Sequence, residues 1–186
     1  MTQFSDSKTA EVISNTTSNQ NKIDFARIVL TGLQNELQAN VQNGAGPFLA
    51  AIYDENGRLI SKCANSVVID KCSHSHAEIN AIKKAEEVFG TYDLSPYNLS
   101  IYVTSEPCMM CLGAILWSGI KSVYYGVCTA DVEKITGYDE GFKPNWFEEF
   151  SKRGIEVYGN IEHKSGKKVL QKYVDDGKII YKPSRK

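Results

Sequence analysis

Two short stretches hold residues whose types and spacing suit chemistry: His76-Ala77-Glu78 and, farther along, Pro107-Cys108-Met109-Met110-Cys111. One imidazole and two thiolates are a ligand set for a zinc ion that keeps its fourth tetrahedral position for water. His76, Cys108 and Cys111 are therefore read as a catalytic zinc site, one ion per chain. The cysteines stand at i and i+3 ahead of Leu112, Ile115 and Leu116, which puts both sulfurs on one face of a helix's first turn. There the positive end of the helix dipole, like the metal itself, favours thiolate over thiol. Pro107 suits a helix entry, where no N–H donor is needed. Ile79, Ile82, Ala85 and Phe89 repeat at helical spacing behind His76, so a second helix opens on ligand and carboxylate together. A carboxylate near zinc but not bound to it takes a proton from a water whose pKa the metal lowers to about 7, and hands it to a leaving group. Glu78 is the expected general acid/base. A redox pair or a structural zinc knob would account for the two cysteines alone, but neither uses Glu78. His74 is not counted as a ligand, because a catalytic ion needs its fourth position open.

The elements that must position these residues are legible in the apolar pattern. From Asp24, Phe25, Val29, Leu33, Leu37 and Val41 recur every four residues and predict a helix with one buried stripe, ending at Asn43–Pro47. Phe48–Tyr53 and Arg58–Ile60 flank Asp54-Glu55-Asn56-Gly57 as a hairpin whose second strand runs toward Asn65. A loop over residues 68–75 delivers the chain to His76, and the following helix ends near Gly90, a residue suited to a C-cap. Leu99–Thr104 alternates as a strand and leads straight into the cysteine loop and its helix, which closes at Gly119. A strand at Val123–Gly126 then suits a parallel βαβ pair. Residues 128–145 read as loop. A helix from Asn145 to Gly154, a strand at Ile155–Tyr158, a helix at Val169–Val174 and a trailing Ile179-Ile180-Tyr181 complete the order. That order predicts the α/β class, a three-layer α-β-α fold on a mixed sheet of about five strands. Residues 1–20, rich in Ser, Thr, Asn and Gln, are expected to form a disordered tail, and residues 21–186 a single domain.

Composition narrows the function classes. At 186 residues and 42% hydrophobic, the chain can bury one ordinary core. Its 21 basic and 22 acidic residues give a net charge of −1, which argues against a nucleic-acid partner held by phosphate contacts. Of the five cysteines, Cys63, Cys72 and Cys128 show no disulfide-framework spacing, so a reducing, cytoplasmic setting is expected. No apolar stretch approaches the roughly 18 residues of a membrane helix.

The order His-x-Glu, then Pro-Cys-x-x-Cys, is the signature of zinc-dependent nucleobase deaminases. The chain from about Asp24 to Glu140 resembles the cytidine deaminase-like superfamily and, within it, is most similar to bacterial guanine deaminases. Tyr102–Trp117 looks like that group almost throughout, and Gly46-Pro47-Phe48 resembles its entry to the first strand. Asn65 stands at the spacing of the group's substrate-binding asparagine. Gly137-Tyr138-Asp139 resembles its glycine-phenylalanine-aspartate segment, although the loop before Gly137 is a residue longer here. The resemblance implies deamination of a purine base, guanine to xanthine. Asn65, the Ala77 amide and Asp139 would fix the ring, and the Ser105 carbonyl would accept a hydrogen bond from the departing ammonia. Phe48 and Trp117 would wall the pocket. The resemblance also implies a homodimer in which a C-terminal aromatic residue caps the neighbour's site. Nothing after Val157 matches that segment closely, leaving Tyr181 as the residue to consider for it. Rival readings are a tRNA adenosine deaminase, which shares both motifs but needs a basic surface, and a cytosine or cytidine deaminase. A non-catalytic zinc scaffold is the rival from another class, and it would have no use for Glu78.

Overall fold

The computed structural model describes residues 6–142 and 145–182. A long first helix, α1 (Asp6–Gln42), leads into the hairpin β1 (Leu49–Tyr53) and β2 (Leu59–Ala64). A one-turn helix α2 (Val67–Asp70) precedes α3 (Ala77–Phe89), and a 3₁₀ turn at Ser95–Tyr97 precedes β3 (Ser100–Ser105). Then come α4 (Met109–Ser118), β4 (Ser122–Val127), α5 (Thr129–Thr136), α6 (Trp146–Ser151), β5 (Glu156–Tyr158) and α7 (His163–Asp175). The five strands lie in the order β2-β1-β3-β4-β5, with β1 antiparallel to both β2 and β3, and β3, β4 and β5 parallel.

Strand alternation sorts the core into two layers. Ala50, Ile52, Ile101, Val103, Val123 and Tyr125 face α3, α4 and α6, whereas Leu49, Ala51, Tyr102 and Tyr124 face α1 and α7. This is the three-layer α-β-α arrangement with the mixed five-stranded sheet. On the α1 side, Tyr102, Tyr124 and Tyr158 occupy paired positions on β3, β4 and β5 and stack at centroid separations of 4.7 and 4.9 Å. Phe25 of α1 stands edge-on to Tyr53 and Tyr102. Such a ladder holds register, since a slip of one residue would turn every ring to the opposite face.

Several expectations from the sequence are corrected. The helix predicted from Asp24 begins at Asp6, so the tail expected at residues 1–20 is helical from Asp6 onward; residues 1–5 lie outside the described residues. No glycine or proline interrupts the run up to Gly32, and once a helix is nucleated each added residue gains a hydrogen bond for the dihedrals it fixes. Residues 128–145, expected as loop, contain α5, whose Val132 is buried against α7's Leu170. α7, from His163 to Asp175, is also about two turns longer than its apolar pattern at Val169–Val174 marks.

The join between β3 and β4 sets where the cysteine loop starts. Gly126 lies so close to the Thr104 carbonyl oxygen that a Cβ there would collide with backbone. Just beyond, the Glu106 N–H donates to the Val127 carbonyl at 2.7 Å. Gly126→Ala must push the strands apart at that point. Overpacking of this kind costs about 2 kcal/mol, so the melting temperature is expected to fall by roughly 4–8 °C in a chain of this size. An unchanged thermal midpoint would show that this close approach is not what fixes the two strands.

Candidate metal centre and substrate cleft

The two ligand stretches meet because each ends a loop and begins a helix. His76 is the N-cap of α3 and Cys108 the N-cap of α4, so both stand where unpaired backbone N–H groups and helix dipoles leave partial positive charge. Asn80, one turn into α3, holds the His76 loop. Its Nδ2 donates to the Ala64 carbonyl and the Ser66 hydroxyl at 3.0 Å each and to the Ser75 carbonyl at 3.4 Å. Glu106 holds the cysteine loop, accepting from the Thr129 N–H at 2.8 Å and from Trp146 Nε1 at 3.0 Å.

His76 Nδ1 lies 3.6 Å from Cys108 Sγ and 3.6 Å from Cys111 Sγ, and the two sulfurs are 3.6 Å apart. A tetrahedral zinc with bonds of about 2.3 Å to sulfur and about 2.0 Å to nitrogen would separate its ligands by roughly 3.6–3.8 Å. Donor types and separations therefore both fit that ion. The three groups shift one another's protonation. The hydrogen bond from Cys111, with His76 beside it, brings the Cys108 thiol down to about 4 despite burial. Cys111 is pushed well up by that same bond and by burial. Burial lowers His76, but the bond and charge of Cys108 outweigh it and leave the imidazole raised. Burial, with Cys108 close by, raises the carboxyl of Glu78.

A small cleft opens beside the triangle, lined by Phe48, Asn65, Glu78, Ser105, Glu140 and Tyr181 among others. Asn65 is 1% exposed. Its backbone is clamped to the loop before β1 by Asn65 N–H to the Phe48 carbonyl at 3.0 Å and Gly46 N–H to the Asn65 carbonyl at 3.1 Å. A Cβ on Gly46 would stand 2.8 Å from Asn65 Oδ1, so only glycine leaves that amide its place. Asn65 Nδ2 donates to the Tyr181 hydroxyl at 2.8 Å, and the Tyr181 ring packs on Tyr138 at 5.1 Å and edge-on to His76 at 6.2 Å. The hydroxyl of Ser105 is buried without a hydrogen-bond partner among the described residues. Ala77 is fully buried at the first position of α3.

Two expected cleft residues lie elsewhere. Trp117 is 85% exposed on the outer side of α4, because it stands two residues, about 200° of helix rotation, beyond Ile115 and so off the stripe of Cys111, Leu112 and Ile115 that packs inward. Asp139 faces solvent, its Oδ1 accepting from the Gly141 N–H at 3.0 Å. In this short turn successive side chains alternate: Tyr138 is buried against Phe48, Asp139 points out and Glu140 points into the cleft. Glu140 and Glu106 are residues that sequence reasoning passed over. No motif marks Glu140; its place beside the cleft follows from the turn that buries Tyr138 and turns Asp139 outward.

Comparisons with known proteins agree with this arrangement. Residues 18–143 match the family model described as MafB19-like deaminase. A solved structure of NE0047 in complex with 2,6-diaminopurine superposes with a TM-score of 0.79 at 34% identity, over 84% of this chain and 85% of that one. The guanine deaminase from Nitrosomonas europaea superposes with a TM-score of 0.75 at 35% identity, over 77% of this chain and 81% of that one. The guanine deaminase of Bacillus subtilis is 39% identical over 97 residues, 52% of this chain and 60% of that protein. tRNA-specific adenosine deaminases match too, that of Buchnera aphidicola at 39% over 93 residues, 50% of this chain and 60% of that protein. The chain thus spans about 60% of the length of these two curated relatives.

The raised pKa values of His76 and Cys111 make a pH prediction for zinc uptake. Each ligand whose pKa is raised must release its proton before it can bind, so affinity is expected to climb as pH rises from about 6 to about 8 and to weaken on acidification. Competition with a chromogenic chelator reads this directly, and a flat profile would remove Cys111 and His76 from the ligand set. Cys108→Ala, with two ligands left, is expected to lose zinc from this site.

Proposed function

The chain belongs to the MafB19-like deaminase family, and on that premise we propose that it hydrolyses the exocyclic amine of a purine base, converting guanine and water to xanthine and ammonia. The observation that carries this reading is the buried Glu78, 7% exposed, set between the His76/Cys108/Cys111 triangle and a cleft with Asn65 and Glu140 on its walls. One zinc ion, held by those three ligands, would supply a Lewis acid and a water of lowered pKa. Glu78 then takes one proton from the attacking water and passes it to a ring nitrogen; it next takes the second proton from the hydroxyl added at the ring carbon and delivers it to the amine, so that the carbonyl forms as the C–N bond breaks. A carboxyl raised by burial suits that exchange, because it gives up a proton about as readily as it takes one. Asn65 presents its amide to the ring, and the Glu140 carboxylate accepts from ring N–H groups in place of Asp139. The Ser105 carbonyl and the Ala77 amide stand at the ends of the strand and helix that frame the reacting carbon. Phe48 and Tyr138 supply an apolar wall.

A tRNA adenosine deaminase is the alternative with the same metal chemistry. The net charge of −1 and the narrow cleft beneath Tyr181 favour a free base over an anticodon loop. Among the described residues no helix is long and apolar enough to cross a membrane. The reading further takes the protein to be a cytoplasmic homodimer, on family likeness.

Ammonia release measured across guanine, adenine, cytosine and their nucleosides tests the substrate class, and preference for cytosine would end the purine assignment. Glu78→Gln is expected to keep metal and fold while turnover falls by at least ~10²-fold, the low end for a positioned acid/base. Glu140→Gln is expected to lower kcat/KM for guanine by about 10²-fold, the loss of one charge-assisted hydrogen bond. Asp139→Asn should leave it within about threefold, and the opposite ranking of these two variants would restore Asp139 as the base-binding acid.

A further inference from the structure

A second set of metal-binding side chains joins α5 to α7, away from the cleft. Cys128 is the N-cap of α5, Asp131 lies in its first turn, and His163 is the first residue of α7. Cys128 Sγ stands 3.8 Å from Asp131 Oδ2 and 3.9 Å from His163 Nε2, and that same Nε2 is 2.9 Å from Asp131 Oδ2. All three side chains are half-buried. Sulfur, nitrogen and oxygen therefore face a single point between them.

Two other uses of a cysteine, a histidine and an aspartate fit less well. A thiol activated for attack needs the imidazole to face the sulfur with one nitrogen and the carboxylate with the other. Here both partners address Nε2. A disulfide would need a second cysteine at the cluster, and among the described residues Cys128 is joined there by Asp131 and His163 alone. A common focus is instead the geometry of three ligands on one cation. A tetrahedral ion with the bond lengths usual for sulfur, imidazole and carboxylate would hold these atoms roughly 3.3–3.6 Å apart. Drawing Cys128 in by about 0.3 Å and parting His163 from Asp131 by about 0.4 Å reaches that arrangement, well within side-chain adjustment. Lys167 Nζ, 3.0 Å away, bonds the other carboxylate oxygen, Oδ1, and leaves Oδ2 directed at the focus.

We propose that Cys128, Asp131 and His163 form a second metal site, independent of the first, for a borderline divalent transition ion, zinc foremost. Thiolate and imidazole together select such an ion over magnesium or calcium. On binding, Cys128 releases its thiol proton to solvent and neutral His163 lends Nε2, with water completing the tetrahedron. The ion pins the start of α7 to the start of α5, and these two helices lead to Tyr181 and to Tyr138 and Glu140. Its role is a staple between α5 and α7.

Elemental analysis of the zinc-saturated, dialysed full chain is expected to give two ions per chain, and one in Cys128→Ser, His163→Gln or Asp131→Asn, with deaminase turnover retained. Cobalt(II) added to the Cys108→Ser/Cys111→Ser double variant should still produce a thiolate-to-cobalt charge-transfer band, which the further change His163→Gln abolishes. If the double variant fails to fold, the wild-type stoichiometry and the three single variants decide alone. A wild type that saturates at one ion, or a second ion that survives both Cys128→Ser and His163→Gln, overturns the proposal and leaves a His163–Asp131 ion pair with the thiol as a bystander. Neither result touches the deaminase reading, which rests on the other triangle.

Discussion

Everything in the molecule that bears on chemistry depends on two helix N-termini meeting at a triangle of 3.6 Å sides. His76 and Cys108 are both N-caps, the one position where a side chain can project past the end of a helix while the backbone behind it is already fixed. Neither helix could be brought there by its own sequence. α3 is aimed by the β2–α3 connection, where Asn80 ties three separate segments together, and α4 by the end of β3, which the Gly126–Thr104 contact and Glu106 lock to β4 and α5. An ångström of play in either strand end would open the triangle, and the close approach of Gly126 to the Thr104 carbonyl lies beside it.

That geometry is held against ordinary stability preferences. Glu78, Asn65 and Ser105 are buried polar groups, and one of them has an unpartnered hydroxyl among the described residues. A core selected for stability alone would fill those positions with apolar side chains, since each buried polar group without a good partner costs about 1–3 kcal/mol. The surrounding layers offset that cost: the stacked tyrosines on one face of the sheet and the aliphatic cluster under α3 and α4 on the other are packed with no comparable exceptions. The site sits on a rigid platform and concentrates the molecule's unfavourable burial in one place.

What could be read from the sequence follows from the range of the interactions involved. The metal triangle was legible because His76, Glu78, Cys108 and Cys111 are each fixed by local rules, a helix start and an i, i+3 spacing, and so was the strand order around β3 and β4, because apolar alternation and a single helix between parallel strands leave little choice. The start of α1 was not legible, since the sequence of residues 6–20 carries no apolar repeat at helical spacing. α5 was missed for a related reason. Its eight residues carry just two fully buried positions, Val132 and Thr136, and its packing partner α7 lies far along the chain. Tyr181 and the Cys128, Asp131 and His163 group likewise come together only through α7, and no spacing rule links residues on separate elements.

Asp139 faces solvent and Glu140 lines the cleft, and this placement bears on how the two parts of the site are constrained. The metal ligands are seated on helix ends, where a shift of one residue would rotate a side chain by about 100° and destroy the site. The acid that lines the cleft is seated in the turn from Gly137 to Gly141, both of which adopt positive φ and let the chain reverse without strain. In such a turn neighbouring side chains point to opposite sides, so a change of one position exchanges which of them faces the cleft. Chemistry and recognition are thus under different physical constraints. The triangle and Glu78 tolerate no movement, while the turn beside them can change length and present a different acid to a different base, so relatives that share the first can diverge in the second.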